Sequence, residues 1–244
     1  FAMGFNFTLA ISPDGLRTRT GLLSTRAQTL PPKRVHAIRI SQPLLWRPFG
    51  WWHVDMNIAG WGPRTGENAD AMAMLTRMNL LPVGTREEAL RALWLVAPDL
   101  GVADPNALLA AALDGRDRDG GFIPSPRSAR WLDWISWRRR GVLATRTLLV
   151  IRQGRLERSV TLVPHERTQS LGLTQGPLQR AFGLATLRAH TVIGAFNPTA
   201  AHLDHVEAGL MLAAQAQRAR ASRASEGPDE WMRRVGPVAP IMEQ

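Results

Sequence analysis

Few residues in this chain are suited to chemistry. His202-Leu-Asp204-His205-Val-Glu207 sets two imidazoles three residues apart with carboxylates beside them. On a helix such a pair shares one side, and two neutral imidazoles with a carboxylate can hold zinc. There is no HExxH and no identifiable distant third ligand, so the stretch reads as the polar start of a helix. Asp114-Gly-Arg-Asp117-Arg-Asp119-Gly120 resembles a calcium loop only in outline. It lacks the spaced ligands and the closing Glu, and its arginines oppose a cation. No Walker A, GxSxG or Rossmann pattern occurs; Gly60-Trp-Gly62-Pro-Arg-Thr-Gly66 comes nearest, and Pro63 spoils it. With no cysteine, thiol catalysis, disulfides, thiolate zinc and iron–sulfur clusters are excluded. No catalytic, cofactor or metal residue is therefore assigned.

Surface chemistry is better represented. Trp131, Trp134 and Trp137 sit three apart among Arg127, Arg130, Arg138, Arg139 and Arg140. On a helix the three rings form one broad apolar stripe, and tryptophan with arginine is the composition of a membrane-interface belt. The alternative is that the stripe packs between domains, because a ring of that size usually ends up mostly buried. Trp46, Trp51, Trp52 and Trp61, with Pro48 and Phe49, form a second aromatic cluster. Trp131, Trp134, Trp137, Arg138, Arg139, Arg140, Trp51 and Trp52 are the candidate contacts with a partner or membrane. The net charge of +10 comes almost wholly from arginine, since Lys33 is the sole lysine. It favours acidic partners: nucleic acid, anionic headgroups or an acidic protein. GC-rich coding gives the same composition. No RNA-binding signature is present and tyrosine is absent, so nucleic acid is not the expected partner.

What positions these groups is a repeat. The 244 residues are 45% hydrophobic and 20% charged, which suits one large domain or two small ones. Shifting the chain by 133 lays Leu16–Gly50 on Leu149–Gly183 without a gap. Identical pairs are Leu16/Leu149, Arg19/Arg152, Gly21/Gly154, Leu23/Leu156, Pro31/Pro164, Arg34/Arg167, Gln42/Gln175, Leu45/Leu178, Arg47/Arg180, Phe49/Phe182 and Gly50/Gly183. A glycine, a proline and an Arg-x-Phe-Gly in one register point to two copies of one domain. Residues shared by both copies serve a shared backbone geometry. Phe49 and Phe182 are expected to pack inward, Gly50 and Gly183 to adopt positive φ, and Arg47 and Arg180 to pair within their own domain. Arg34, Arg167, Gln42 and Gln175 are expected to tie loops to strands.

Each copy reads as β structure closed by helix. Phe5–Ser12 alternates as a half-buried strand, and Pro13-Asp14-Gly15 reads as a turn. Leu16–Leu30 and Leu148–Val163 read as hairpins. Val35–Ser41 and Thr168–Thr174 read as strands, followed by short irregular or one-turn segments (Pro43–Phe49; Pro177–Phe182) and further strands (Trp52–Ile58; Ala185–Ile193). Thr85-Arg-Glu-Glu88 is a capping box before a helix to Ala97, and Asp104-Pro105 opens a second helix that Gly115 stops. Asn197-Pro198 is expected to open a long helix to about Ser222, with Leu203, Val206, Leu210, Ala213 and Ala214 on its apolar face. The fold class is mainly β with C-terminal helices. A first domain spans 1–113, a linker 114–130, a second domain 131–224 and a tail 225–244.

No apolar run of 18 residues exists, and the chain opens at Phe1 without Met, so it is expected to be a piece of a longer protein. Val163-Pro164-His-Glu-Arg167-Thr-Gln169-Ser170-Leu171 and Gln175-Gly-Pro-Leu178-Gln-Arg180-Ala-Phe182-Gly183-Leu184-Ala185 resemble the bacterial pleckstrin-homology-like family, most of all the YdbT-like membrane proteins. The first copy matches through Pro31, Arg34, Val35, Gln42, Leu45, Arg47, Phe49, Gly50 and Ala59-Gly60. The resemblance implies two tandem curved antiparallel sheets or barrels, each capped by a helix. It implies a non-enzymatic module without cofactor, held at the cell membrane by helices outside these residues and facing the cytoplasm. Partners would be the anionic lipid surface, another protein or a second copy, with a role in envelope stress or antimicrobial-peptide tolerance. An alternative is a lipid or small-ligand domain with an Arg-lined pocket, for which Arg47 and Arg180 are the candidates. The basic lysine-bearing first loop of phosphoinositide binders is missing, which argues against phosphoinositide recognition.

Overall fold

A computed structural model describes residues 8–12, 15–20, 26–30, 35–58, 78–168, 170–191 and 196–225. Phe5, Phe7, the Pro13-Asp14 turn, Pro31, Arg34, Ala59-Gly60, Trp61 and the tail beyond Ser225 lie outside them. The strands are β1 (Thr8–Ser12), β2 (Gly15–Thr20), β3 (Arg26–Leu30), β4 (Val35–Pro43), β5 (Trp52–Ile58), β6 (Met78–Gly84), β7 (Ile123–Pro124), β8 (Gly141–Ala144), β9 (Leu148–Gln153), β10 (Glu157–Pro164), β11 (Ser170–Thr174), β12 (Leu184–His190) and β13 (Thr199–Asp204). The helices are α1 (Arg86–Val96), α2 (Pro105–Asp114), α3 (Pro177–Ala181) and α4 (His205–Ser225). This is a mainly β, α+β architecture.

The duplication is visible in the elements. Shifted by 133, β2 lands on β9 and β11 falls within the span of β4; the Leu44–Phe49 3-10 turn lands on α3, and β5 on β12. Gly50 and Gly183 take φ of 65° and 64°, the left-handed conformation that glycine adopts without Cβ strain. Each copy contributes three strands, then three more, then a helix.

The two copies do not form two separate sandwiches. One antiparallel sheet runs β6-β5-β4-β10-β9-β8-β7, so the second half of copy one is continuous with the first half of copy two. The joint is β4 on β10, with Ser41 opposite Ser159, Ile40 opposite Val160 and Ile38 opposite Leu162. Separate three-stranded sheets run β1-β2-β3 and β11-β12-β13. Among the described residues no sheet closes into a barrel; the seven-stranded sheet ends at β6 and β7.

Two cores follow from this layout. On one face, Ile38, Ile40, Val54, Met56, Val150, Val160 and Leu162 pack beneath α1 and α2. The other core joins Ala37, Leu149, Ile151 and Val163 with Leu187, Ala200, Leu203 and Ala208 of the last sheet and α4. β9 and β10 therefore present apolar groups to both sides, as a doubly covered strand must.

Local signals set the helix ends. Thr85 and Glu88 form the reciprocal capping box of α1, and Asp104 accepts from the Ala107 amide to cap α2, with Pro105 in its first turn. The long helix starts later than Asn197-Pro198 suggests. Thr199–Asp204 instead completes a sheet against β12, and Asp204 Oδ1 accepts from the Val206 and Glu207 amides, opening α4 at His205. The buried face of α4 also differs from expectation: Ala208 and Gln215 are covered, while Val206 and Leu210 are exposed. Residues 114–130, read as a linker, carry a 3-10 turn, β7 and the start of another 3-10 turn (Arg127–Trp131). No helix among the described residues is long and apolar enough to cross a membrane.

Candidate interaction surface

The first Arg-x-Phe-Gly, at Arg47–Gly50, sits where the two copies meet. Gly50 turns the chain from the 3-10 segment into β5, and its amide bonds the carbonyl of Arg47. Arg47 Nη2 donates to the carbonyls of Arg155 and Leu156, the latter at 3.4 Å, in the β9–β10 turn. The arginine expected to pair within its own copy thus grips the other copy. Burial, then the charges of Arg158 and Arg155, lowers its pKa. Phe49 does not pack inward as expected. It is exposed and stacked on Trp51 at 4.7 Å, with Trp46 edge-on to Trp51 at 6.3 Å. Phe182 is exposed too, and among the described residues the exposed Arg180 side chain makes no hydrogen bond or ion pair. Gln175 Nε2 donates to the Leu184 carbonyl at 2.9 Å, Gln42 is buried, and Arg167 pairs with Glu166 at 3.2 Å.

The Trp–Arg segment is not one helix. Arg127–Trp131 is a 3-10 turn, and Asp133 then accepts from the Ser136 amide and from Arg140. This projects Trp131 and Trp134 outward at 69% and 78% exposure, whereas Trp137 is half-buried. Arg130 lies over the Trp131 ring at 5.2 Å. Arg138 is held by Asp117, which raises its pKa.

Two candidate contacts are not available to any partner. Trp52 is buried beneath α1 and α2 because it starts β5 on the core face. Arg139 is buried because its guanidinium serves the end of α2, donating to the carbonyls of Ala112, Leu113 and Gly115. Arg152, with 0% exposure, joins it, donating to the carbonyls of Arg139, Ala111 and Asp117 and lying over the Phe122 ring at 4.4 Å. Burial, then the neighbouring Arg158 and Arg152, pushes Arg139 down to about 10; burial lowers Arg152 too. Both face carbonyls at the negative end of a helix, which suits a cation.

Sequence reading missed a third cluster. His53, Asp55 and Asn57 alternate along β5 and so share one face of the sheet. His53 Nδ1 lies 2.8 Å from the Pro82 carbonyl, and Nε2 lies 2.8 Å from Asp55 Oδ1. Both neighbours are acceptors, so both ring nitrogens are placed to donate, an arrangement that favours the imidazolium. Burial opposes that charge, but the Asp55 hydrogen bond and carboxylate outweigh it and raise the pKa. Asp55 is itself buried, which works against ionisation. His53, then Arg39 at 3.3 Å, more than offset this and lower its pKa. Arg39 also covers the Phe196 ring at 4.7 Å, and Asn57 Nδ2 donates to the Phe196 carbonyl at 2.7 Å. This cluster ties β5 to the second copy. Both His53 ring nitrogens are engaged, by the Pro82 carbonyl and by Asp55.

A family model for the bacterial PH domain matches residues 1–83 and 96–225. The chain belongs to the bacterial PH domain family. The two matched regions accord with the duplicated elements, and no curated protein matches the chain. Bacterial PH domains are generally non-enzymatic. In this PH pair the cleft of about 230 Å³ between β4, the end of α1 and the end of β10 is lined by Val35, Ile38, Val96, Ala97, Pro164, Glu166 and Arg167. Arg167 lines this cleft, and Arg47 and Arg180 do not. His202 and His205 straddle the β13–α4 junction. Their rings meet Gln179 and the Gly183 carbonyl respectively.

Proposed function

We propose that this PH pair is a non-catalytic module that seats on an anionic membrane surface through Trp131 and Trp134. The observation that carries this reading is two largely exposed indoles, with exposed Arg130 over the Trp131 ring and exposed Arg127 and Arg138 close by in the sequence. An exposed indole is amphipathic, and its stable place is headgroup depth, where the ring meets acyl chains and the N–H meets water. Guanidiniums beside it take lipid phosphates, and the +10 net charge adds long-range attraction. As the YdbT-like resemblance implies, the module is held at the cytoplasmic face of the cell membrane, and seating there serves envelope stress or antimicrobial-peptide tolerance.

Co-sedimentation with phosphatidylcholine vesicles, with and without phosphatidylglycerol, tests this. Binding is expected to be stronger to the anionic vesicles and to fall with added salt. Trp131→Ala/Trp134→Ala is expected to weaken it about tenfold, from the loss of two interfacial rings. Equal binding to neutral and anionic vesicles removes the electrostatic half of the proposal. Unchanged binding by the double variant removes this face from it.

A further inference from the structure

We infer that this chain associates with further copies of itself, edge to edge, through β3 of one copy and β11 of the next. The seven-stranded sheet already contains such a joint. β4, the first strand of one half-unit, pairs antiparallel with β10, the last strand of another. Shifted by 133, β11 is the counterpart of β4, and β3 falls within the counterpart of β10. Both counterparts end their sheets: β3 in β1-β2-β3 and β11 in β11-β12-β13, with no partner on the outer edge among the described residues.

Burial shows what is missing at the second position. Six of the nine residues of β4 are buried and none is exposed, while β11 is exposed or half-exposed throughout. Ile40 has 0% exposure, and its counterpart Leu173 has 38%. An apolar strand edge left bare in water is a template for another strand. The clamp is repeated as well. Arg47 grips the β9–β10 turn at Arg155 and Leu156, and that turn carries Gly154 and Leu156, which recur as Gly21 and Leu23 between β2 and β3. Arg180, the counterpart of Arg47, is exposed and unengaged among the described residues. The donor and both strand edges of the joint are thus present a second time, without a partner among the described residues.

The internal register carries over. Ser41–Ser159, Ile40–Val160 and Ile38–Leu162 become Thr174–Arg26, Leu173–Ala27 and Leu171–Thr29 between chains. A joint between two different edges is heterologous, so it propagates as a ring or filament. It uses residues other than the membrane face, and its test stands apart from vesicle binding.

The cysteine-free sequence makes crosslinking clean. Leu173→Cys protein mixed with Ala27→Cys protein, and Thr174→Cys mixed with Arg26→Cys, cover both pair types of an antiparallel ladder. Under mild oxidation at least one mixture is expected to give a species of twice 26.9 kDa well above that from either variant alone. In sedimentation velocity the unmodified chain is expected to grow in mass with concentration. Arg180→Glu, with an unchanged circular dichroism spectrum, is expected to shift it toward monomer, while Trp131→Ala/Trp134→Ala leaves it unaltered. A chain that stays monomeric up to its solubility limit overturns the proposal. So does a Leu173→Cys/Ala27→Cys double variant that crosslinks only within one chain.

Discussion

At the scale of single residues, the His53–Asp55–Arg39 cluster holds charge where most side chains are apolar. Asp55 is the buried partner shared by two cations, so Asp55→Ala leaves both unmatched and is expected to cost roughly 3–5 kcal/mol in urea unfolding. The pH dependence has a definite sign. His53 is raised above its ordinary 6.5, so its contribution is full below about 6.5 and is lost as pH rises through the folded value. Asp55 is lowered below 3.8, so its contribution is present above 3.8 and is lost as pH falls through its folded value. The difference in unfolding midpoint between the native chain and His53→Gln is expected to be largest between about pH 4 and 6.5 and to shrink on the alkaline side; a difference that grows there contradicts the imidazolium assignment. The ingredients were legible, since Trp52–Ile58 reads as a strand and alternation sets His53, Asp55 and Asn57 on one face. Arg39 and Pro82 were not, because their proximity is made by strand pairing across distant sequence.

At the scale of elements, α2 shows how a helix end depends on groups far away in the chain. Its start is written locally in Asp104 and Pro105, and its end in Gly115. The groups that satisfy its last carbonyls, Arg139 and Arg152, come from beyond the next turn and from β9, and no local pattern announces them. Arg152→Met keeps bulk but removes the side-chain donor from the carbonyls of Arg139 and Asp117 and leaves that of Ala111 to the Gly115 amide alone, a loss of about 2 kcal/mol or more. Arg152→Lys is expected to rescue little, since one ammonium cannot reproduce the forked guanidinium. Amide exchange at Leu108–Gly115 in either variant should quicken more than exchange in α1; equal protection of α2 would place its anchoring elsewhere. The same logic explains the misplaced start of α4. Asn197-Pro198 has the look of a helix opening, but the Pro198 carbonyl is taken by the Ala189 amide and the chain continues as β13. Pairing with a ready-made neighbour outweighs a local start signal.

At the scale of the whole molecule, the duplication was legible from identities alone, whereas the sharing of one sheet between copies was not. Both β4 and β10 read as ordinary buried strands, and nothing in their composition says which edge each will meet. Because Ile40 and Val160 sit at that joint, the copies are expected to unfold together. Ile40→Ala should lower stability by about 2–5 kcal/mol and move circular dichroism and tryptophan fluorescence through one coincident transition. Two separated transitions would mean that each copy stands alone. The joint also has a cost during synthesis. A ribosome that has made residue 40 must add 120 more before residue 160 exists, which takes roughly 6–24 s at about 5–20 residues per second. Throughout that interval the nascent β4 edge has no native neighbour to close on. Polysomes making this chain therefore display sticky strands side by side, and the step most exposed to mispairing comes before the protein leaves the translation machinery.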